Sequence, residues 1–225
     1  MLLWGPKGGS GVTVTAAALA TVLARRGPSR IVDLGGDLPA ALGLAVHPTS
    51  GVADWLRAGP EAPVDGLHRL GVEAARGLVL LGRGGGEFEP GDASRLLSAL
   101  SVPDLPTVID AGAIPCTAPD FLVGLAAGAT SIAVLRPCFL ALRRAVEHPL
   151  LPRCAGVILV AEPGRALRSA DVTRVLERPV LAEARAEAGV ARAVDAGILG
   201  ARLPAGLERT AHRVLAAVER TGRAS

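Results

Sequence analysis

Short apolar runs, each joined to a segment of helical periodicity, recur along the whole chain at residues 2–4, 30–34, 78–81, 107–110, 131–135, 155–160 and 179–181. They are continuous rather than alternating, which is how a strand reads when both its faces are covered. The helical segments between them fall at residues 13–26, 92–100, 119–127, 140–147 and 169–176. Parallel neighbours need a long crossover, usually a helix. The alternation therefore predicts an α/β fold, a doubly wound, mainly parallel sheet flanked by helices. A chain of 225 residues suits one such domain spanning 1–225. The stretch 47–88 is less regular; 52–58 reads as a short helix and 82–91 as a mobile surface loop, with a partner-binding or switch role as the other reading. A last helix over 207–220 places Leu207, Ala211, Val214, Leu215 and Val218 on one stripe, with Arg209, Arg213 and Arg220 off it. That stripe is expected to pack on the sheet rather than on a membrane.

The first apolar run opens into GPKGGSGVT, residues 5–13, and then directly into a helix. Glycines let backbone N–H groups turn inward around an anion, and the helix N-terminus adds a favourable dipole. Gly8, Gly9 and Gly11 supply the turn, Ser10 sits among them, and Val14 follows in the helix. Thr13 places a hydroxyl in the first helical turn, where a phosphate loop binds Mg²⁺. The usual G-K-[ST] ending is here Gly11-Val12-Thr13. Losing that lysine removes a charge-assisted contact of about 1.5–3 kcal/mol, or about 10- to 100-fold in affinity. A glycine-rich turn that holds no phosphate is the competing reading.

Lys7 is the only lysine among 24 basic residues. An ammonium on a flexible stem is not interchangeable with a guanidinium, so a lysine kept where arginine is otherwise used points to chemistry at position 7. The basic charge is uneven: residues 1–135 carry 9 basic and 12 acidic groups, residues 136–225 carry 15 and 9. Such a region can face nucleic acid, an acidic lipid surface or an acidic partner, or simply be solvated helix surface. Cys116, Cys138 and Cys154 lack metal or disulfide spacing and read as buried thiols in a reducing compartment. His47, His68, His148 and His212 are scattered and read as surface residues rather than metal ligands. Ser10 has no base that would make it a nucleophile, and with aromatics at 2% no stacking platform for single strands is present. No signal peptide is expected, and the weakly polar stretch 121–135 is too short to span a bilayer.

The segment KGGSGVT resembles the deviant Walker A loop K-G-G-x-G-K-[ST] of the ParA/MinD family, and Lys7 matches the lysine that in that family crosses a dimer interface to the partner's phosphates. A small or apolar residue before Thr is similar to the CpaE/TadZ-like pilus-assembly branch. IVDLGGDLPAALGL (31–44), TVIDAGA (107–113) and RPVLAEARAEAGVARAVDAG (178–197) resemble that branch's second strand, Walker B strand and late strand-helix, so the likeness extends over nearly the whole chain. The resemblance implies ATP and Mg²⁺ as ligands, with residues 7–14 at the nucleotide and Thr13, Asp33 and Asp110 at the metal. It implies a homodimer acting as switch or scaffold for a partner machine, a Tad/Flp pilus or secretion apparatus. The location implied is cytoplasmic, with recruitment to the pole or the inner face of the membrane. Asp110 ends an apolar strand, where a carboxylate can reach the metal shell or cap the following turn.

Departures from the family pattern limit the chemistry. The acid that orients the attacking water falls at Gly35, so turnover is expected to be slow at best, and Asp37 aligns with a later structural acid. Val160 or Ala161 stands where relatives carry a base-recognising Asn, and neither offers a polar side chain. Relatives often carry an N-terminal receiver-like domain, whereas here the first strand opens the chain. Two alternatives remain beside the scaffold: a DNA-binding partition or septum-site ATPase that uses the arginines of 136–225, and an enzyme of ATP-dependent amide or carboxylate chemistry.

Overall fold

The computed structural model describes residues 1–222. In chain order the elements are β1 (Leu2–Gly5), α1 (Val12–Ala24), β2 (Ser29–Asp33), α2 (Leu38–Leu42), α3 (Val52–Arg57), α4 (Val64–Arg69), β3 (Val72–Ala75), β4 (Leu78–Leu81), α5 (Asp92–Leu100), β5 (Thr107–Ala113) and α6 (Asp120–Gly128). They continue as β6 (Ser131–Leu135), α7 (Phe139–Val146), a 3₁₀ turn (Leu151–Arg153), β7 (Cys154–Ala161), α8 (Ser169–Leu176), β8 (Val180–Arg185), α9 (Ala188–Asp195) and α10 (Ala205–Gly222). The strands form one sheet in the order β3-β4-β2-β5-β1-β6-β7-β8. All neighbours are parallel except β3 and β4.

Period-two geometry explains why the central strands read as continuous apolar runs. In β1, Leu2 and Trp4 enter the core on one face and Leu3 enters the core on the other. Helices α3 to α8 cover the first face, and α1, α2, α9 and α10 cover the second. Helix α1 is buried from Thr15 to Val22, sandwiched between sheet and α10. Its run of alanines is what lets both approach closely. The expected stripe on α10 forms: Leu207, Ala211, Val214 and Leu215 are buried.

Four local features differ from the sequence-based expectation. The edge strand β3 was not evident, because VEAA lacks β-branched bulk; Gly77, at φ +75°, turns it back antiparallel onto β4. Strand β8 is longer than expected, since as an edge strand it buries Ala182 and Ala184 and exposes Glu183 and Arg185, so its pattern alternates. The loop 82–91 is tied down rather than free. Arg57 donates to the Gly85 carbonyl at 3.0 Å, Asp54 accepts from the Gly85 amide at 3.1 Å, and the Arg83 guanidinium lies 4.5 Å from the Phe88 ring centre. Lastly, His148 is not a surface residue. It is 1% exposed, stacked on Trp4 with ring centres 4.2 Å apart, and its Nδ1 accepts from the Leu150 amide at 3.2 Å. Among the cysteines Cys154 alone is fully buried; Cys116 and Cys138 are partly exposed. Among the described residues no helix is long and apolar enough to cross a membrane.

Candidate functional site

The loop between β1 and α1 is shaped by glycines with distinct roles. A Cβ on Gly5 would lie 2.8 Å from Val12 Cγ2 and 3.1 Å from the Val134 carbonyl, so only glycine lets the loop leave the strand here. Gly9 (φ +71°) and Gly11 (φ +89°) take left-handed backbone that other residues reach only with strain. Ser10 Oγ donates to the Lys7 carbonyl at 2.8 Å and Thr15 Oγ1 donates to the Gly11 carbonyl at 2.8 Å, closing the turn internally. Among the described residues, the amides of Gly8, Gly9 and Gly11 and of Val12 to Val14 donate to no protein acceptor in good geometry; the first helical bond is Thr15 N to the Gly11 carbonyl at 3.0 Å.

Those donors border a cavity of about 630 Å³ lined by residues 7–14, so Lys7, Gly8, Gly9, Ser10, Gly11, Val12, Thr13 and Val14 come together as one wall. The opposite walls are Asp37, Ala40 and Ala41 of the α2 region, Gly112 and Ala113 at the end of β5, and residues 194–197 at the end of α9. Gly43 (φ +77°) sits so close to Gly197 that an added Cβ would collide with the Gly197 carbonyl. That approach holds α2 and α9 together and fixes the cavity's width.

Asp33 ends β2 and Asp110 stands directly opposite it, but within β5 rather than at its end as the sequence suggested, since that strand continues to Ala113; both carboxylates are fully buried. They lie behind the cavity lining rather than in it. Asp33 engages both oxygens locally: Oδ1 accepts from the Gly36 amide at 2.6 Å and Oδ2 from the Leu38 amide at 3.2 Å. Its carboxyl is nevertheless raised above the usual range, because burial outweighs those bonds. Asp110 Oδ1 accepts from the Gly112 amide at 2.9 Å. Its Oδ2 has no partner in hydrogen-bonding geometry, although the Thr13 hydroxyl is near enough to favour the ionised form. Burial dominates and lifts Asp110 from 3.8 to about 7, with Asp33 and Asp37 adding repulsion.

Asp37 is exposed and faces the cavity. It is the acid that sequence alignment alone reads as structural, and its position beyond Gly36 brings its charge to Asp33 and Asp110. At position 35 there is no carboxylate, and Gly35 packs on Gly112, whose Cα is 3.5 Å from a built Cβ. No group of three or more His, Cys, Asp or Glu within the described residues could by itself hold a metal. A cation here would need oxygen from Thr13, water and phosphate, which is how Mg²⁺ is commonly held.

Lys7 is half-buried and donates to the neighbouring Gly8 carbonyl at 3.2 Å. Its charge also reaches Glu162, whose carboxyl is held low first by Arg165 and then by Arg136 and Lys7. Beyond Gly11 a second cavity of about 470 Å³ shares Gly11, Val14, Val194 and Asp195 with the first. Val160 forms part of its floor, with Cγ2 3.6 Å from a Cβ built on Gly11. The polar and charged residues around it are Thr15, Arg136, Arg185, Glu187 and Asp195, none of which sequence reading placed at the site. Arg136 pairs with Glu162 at 2.6 Å while its Nε is buried without a partner. The Gly197 turn after α9 was legible only as a glycine following a helix.

No protein-family model matches the sequence, and no curated protein matches it. Solved structures do. A ParA family ATPase from Chlorobium tepidum is similar at 20% identity and a TM-score of 0.75, over 96% of this chain and 97% of that one. The septum site-determining protein MinD from Pyrococcus horikoshii, complexed with Mg-ADP, is similar at 16% identity and a TM-score of 0.76, over 98% and 96%. A plasmid partition protein from Borrelia burgdorferi bound to AMPPNP is similar at 13% identity and a TM-score of 0.74, over 98% of each chain. The chain therefore has the fold of the ParA/MinD-type P-loop ATPases.

Proposed function

We propose that this chain is a nucleotide-dependent dimeric switch or scaffold of the ParA/MinD type that positions a partner machine, and that it hydrolyses nucleotide slowly if at all. The observation that carries the proposal is the set of amides at Gly8, Gly9, Gly11 and Val12 to Val14 that have no protein acceptor, in residues bordering a cavity of about 630 Å³ at a helix N-terminus. The residues fit a nucleoside triphosphate with Mg²⁺, ATP being the one the family resemblance implies. The amides suit phosphate oxygens, Thr13 and the unpartnered Asp110 Oδ2 suit the metal's water shell, and the second cavity has the apolar floor a base needs. Bound Mg²⁺ would supply charge neutralisation at the phosphates. With Val12 replacing a lysine and Gly35 replacing an acid, the groups for binding outnumber those for catalysis. A Tad/Flp pilus or secretion apparatus is the partner machine we propose, on the branch resemblance of the loop and of segments 31–44 and 178–197.

Isothermal titration with ATP·Mg²⁺, with sedimentation in the presence and absence of nucleotide, tests the reading. Saturable binding that tightens self-association is expected, and absence of binding by ATP, GTP and triphosphate alike would end it. Lys7→Ala should bind nucleotide nearly as the wild type does, while nucleotide tightening of the dimer drops about 10-fold or more, the worth of one charge-assisted contact. Equal tightening in the variant would remove Lys7 from the interface.

A partition-type reading has its own observation. Arg185, Arg209 and Arg213 line one cleft between β8 and α10 together with Glu183 and Glu187, and no ion pair engages the three arginines among the described residues. Duplex DNA affinity that falls steeply with salt, and falls again in a triple Arg→Ala variant, would favour it over the scaffold.

A further inference from the structure

The two cavities beside the glycine loop meet along a seam formed by Gly11, Val14, Val194 and Asp195, which border both. Of these four, only Asp195 carries a polar side chain. Asp37 borders the first cavity alone and Glu187 the second alone, so Asp195 is the one carboxylate common to the two. It is exposed, and among the described residues its carboxylate makes no hydrogen bond or ion pair, not even with Arg192 one turn earlier.

Asp195 is also in a place that the fold itself does not favour. It is the last residue of α9, where the carbonyl ends of a helix repel an acid. Nothing within the described residues offsets that repulsion. Nor is the helix end free to move the charge away. The Gly197 amide donates to the Val194 carbonyl at 2.9 Å and the Ile198 amide to the Ala193 carbonyl at 3.0 Å, with Gly197 left-handed at φ +61°. That pair of bonds is a Schellman turn, and the contact of Gly197 with Gly43 pins it to the end of α2. A charge held rigidly, without a partner, is preorganised for a donor that arrives with a ligand.

The sign of the charge says which part of a ligand that is. A carboxylate repels phosphate, and the phosphate donors, Lys7 and the loop amides, lie on the opposite wall. Toward hydroxyls it is an acceptor with two oxygens. A vicinal diol presents two O–H donors side by side, which one carboxylate takes as a pair of charge-assisted bonds. In a nucleotide the diol sits between phosphate and base, and only a ribonucleotide has it.

We propose that Asp195 reads the ribose: its carboxylate accepts from the 2′- and 3′-hydroxyls at the seam, so that the site selects ribonucleotides over deoxyribonucleotides and over bare polyphosphate. This rests on the reading that a nucleotide lies with its phosphates in the first cavity and its base in the second. The sugar contact then holds the nucleoside where base contacts are few. Val160 offers only an apolar surface, and the Ala161 carbonyl already accepts from the Ala186 amide at 2.9 Å.

Calorimetric titration of the full chain in Mg²⁺ with ATP, GTP, their 2′,3′-dideoxy counterparts and tripolyphosphate tests this. The wild type should bind the tighter of ATP and GTP about 10-fold or more better than its dideoxy counterpart. Asp195→Ala should make the two nearly equal, while tripolyphosphate binds the variant as well as the wild type or slightly better. Asp195→Asn keeps an acceptor oxygen without the charge and should fall between. Neither variant should melt below the wild type, since each relieves the end of α9, so a lost preference is not a lost fold. Equal affinity of the wild type for ribo and dideoxy forms, or a full sugar preference in Asp195→Ala, overturns the role of Asp195 and leaves the phosphate loop standing. A wild type that binds neither nucleotides nor tripolyphosphate overturns the nucleotide reading, and the sugar contact with it.

Discussion

Asp110→Asn should raise the melting temperature of the nucleotide-free protein by about 5–10 °C at pH 8 and leave it nearly unchanged at pH 4. In the folded chain burial holds this carboxyl at about 7, against 3.8 when exposed. Between those values the folded form keeps a proton that the unfolded form has lost, so wild-type stability falls as pH rises through the interval and levels off above it. Ionising a carboxyl raised that far costs about 4 kcal/mol. Part of this is recovered in the variant, since an amide at the place of Oδ2 is uncharged but still imperfectly paired; a net gain of about 2–3 kcal/mol is expected. For a chain of this size 1 kcal/mol corresponds to roughly 2–4 °C. Melting curves across pH 4–8 check it, and parallel curves for variant and wild type would refute the buried charge. The same substitution should weaken the Mg²⁺ dependence of nucleotide binding, the usual exchange of stability for function at a site.

What makes that carboxyl expensive could be read only in part from the sequence. The strand carrying Asp110 was legible, though not its extension to Ala113, because a buried parallel strand is an uninterrupted apolar run, and so were the central strands, α1 and the α10 stripe. Edge elements were not: β3 and the second half of β8 are half-solvated, and their mixed composition looks like loop. The glycine loop was legible because φ > 0 and close approach restrict residue type locally, as at Gly5, Gly9 and Gly11. The opposite walls were hidden, since Asp37 and residues 194–197 are brought there by the Gly43–Gly197 contact between α2 and α9, a pairing that no local pattern encodes. His148 was misread for the same reason. Its neighbours Glu147 and Pro149 look like surface, yet Trp4, more than a hundred residues away, buries it.

Val12→Lys is expected to tighten triphosphate binding by about 10- to 100-fold while lowering the stability of the nucleotide-free protein by about 1–3 kcal/mol. Val12 is 5% exposed, packs under Gly5 and borders the phosphate cavity. Replacing it removes a branched side chain from a close-packed corner, which accounts for the loss. The four-carbon stem of lysine carries its ammonium past that corner into the cavity, where a triphosphate offers a charge-assisted bond worth about 1.5–3 kcal/mol. The two terms act on different states, so they need not cancel: the first lowers the melting temperature without ligand. The second appears only with ligand, adding about 2.7 kcal/mol of stability at a concentration 100 times the dissociation constant. Val12→Met, of similar length without charge, separates size from charge and should reproduce a destabilisation without the tighter binding. Calorimetric titration of wild type and both variants decides the matter. A lysine variant that binds no better than the methionine one would mean that the amides of residues 8–14 do not close on phosphate. Turnover should stay low even in the tight-binding variant, because position 35 still offers no carboxylate to hold water in line with the terminal phosphate.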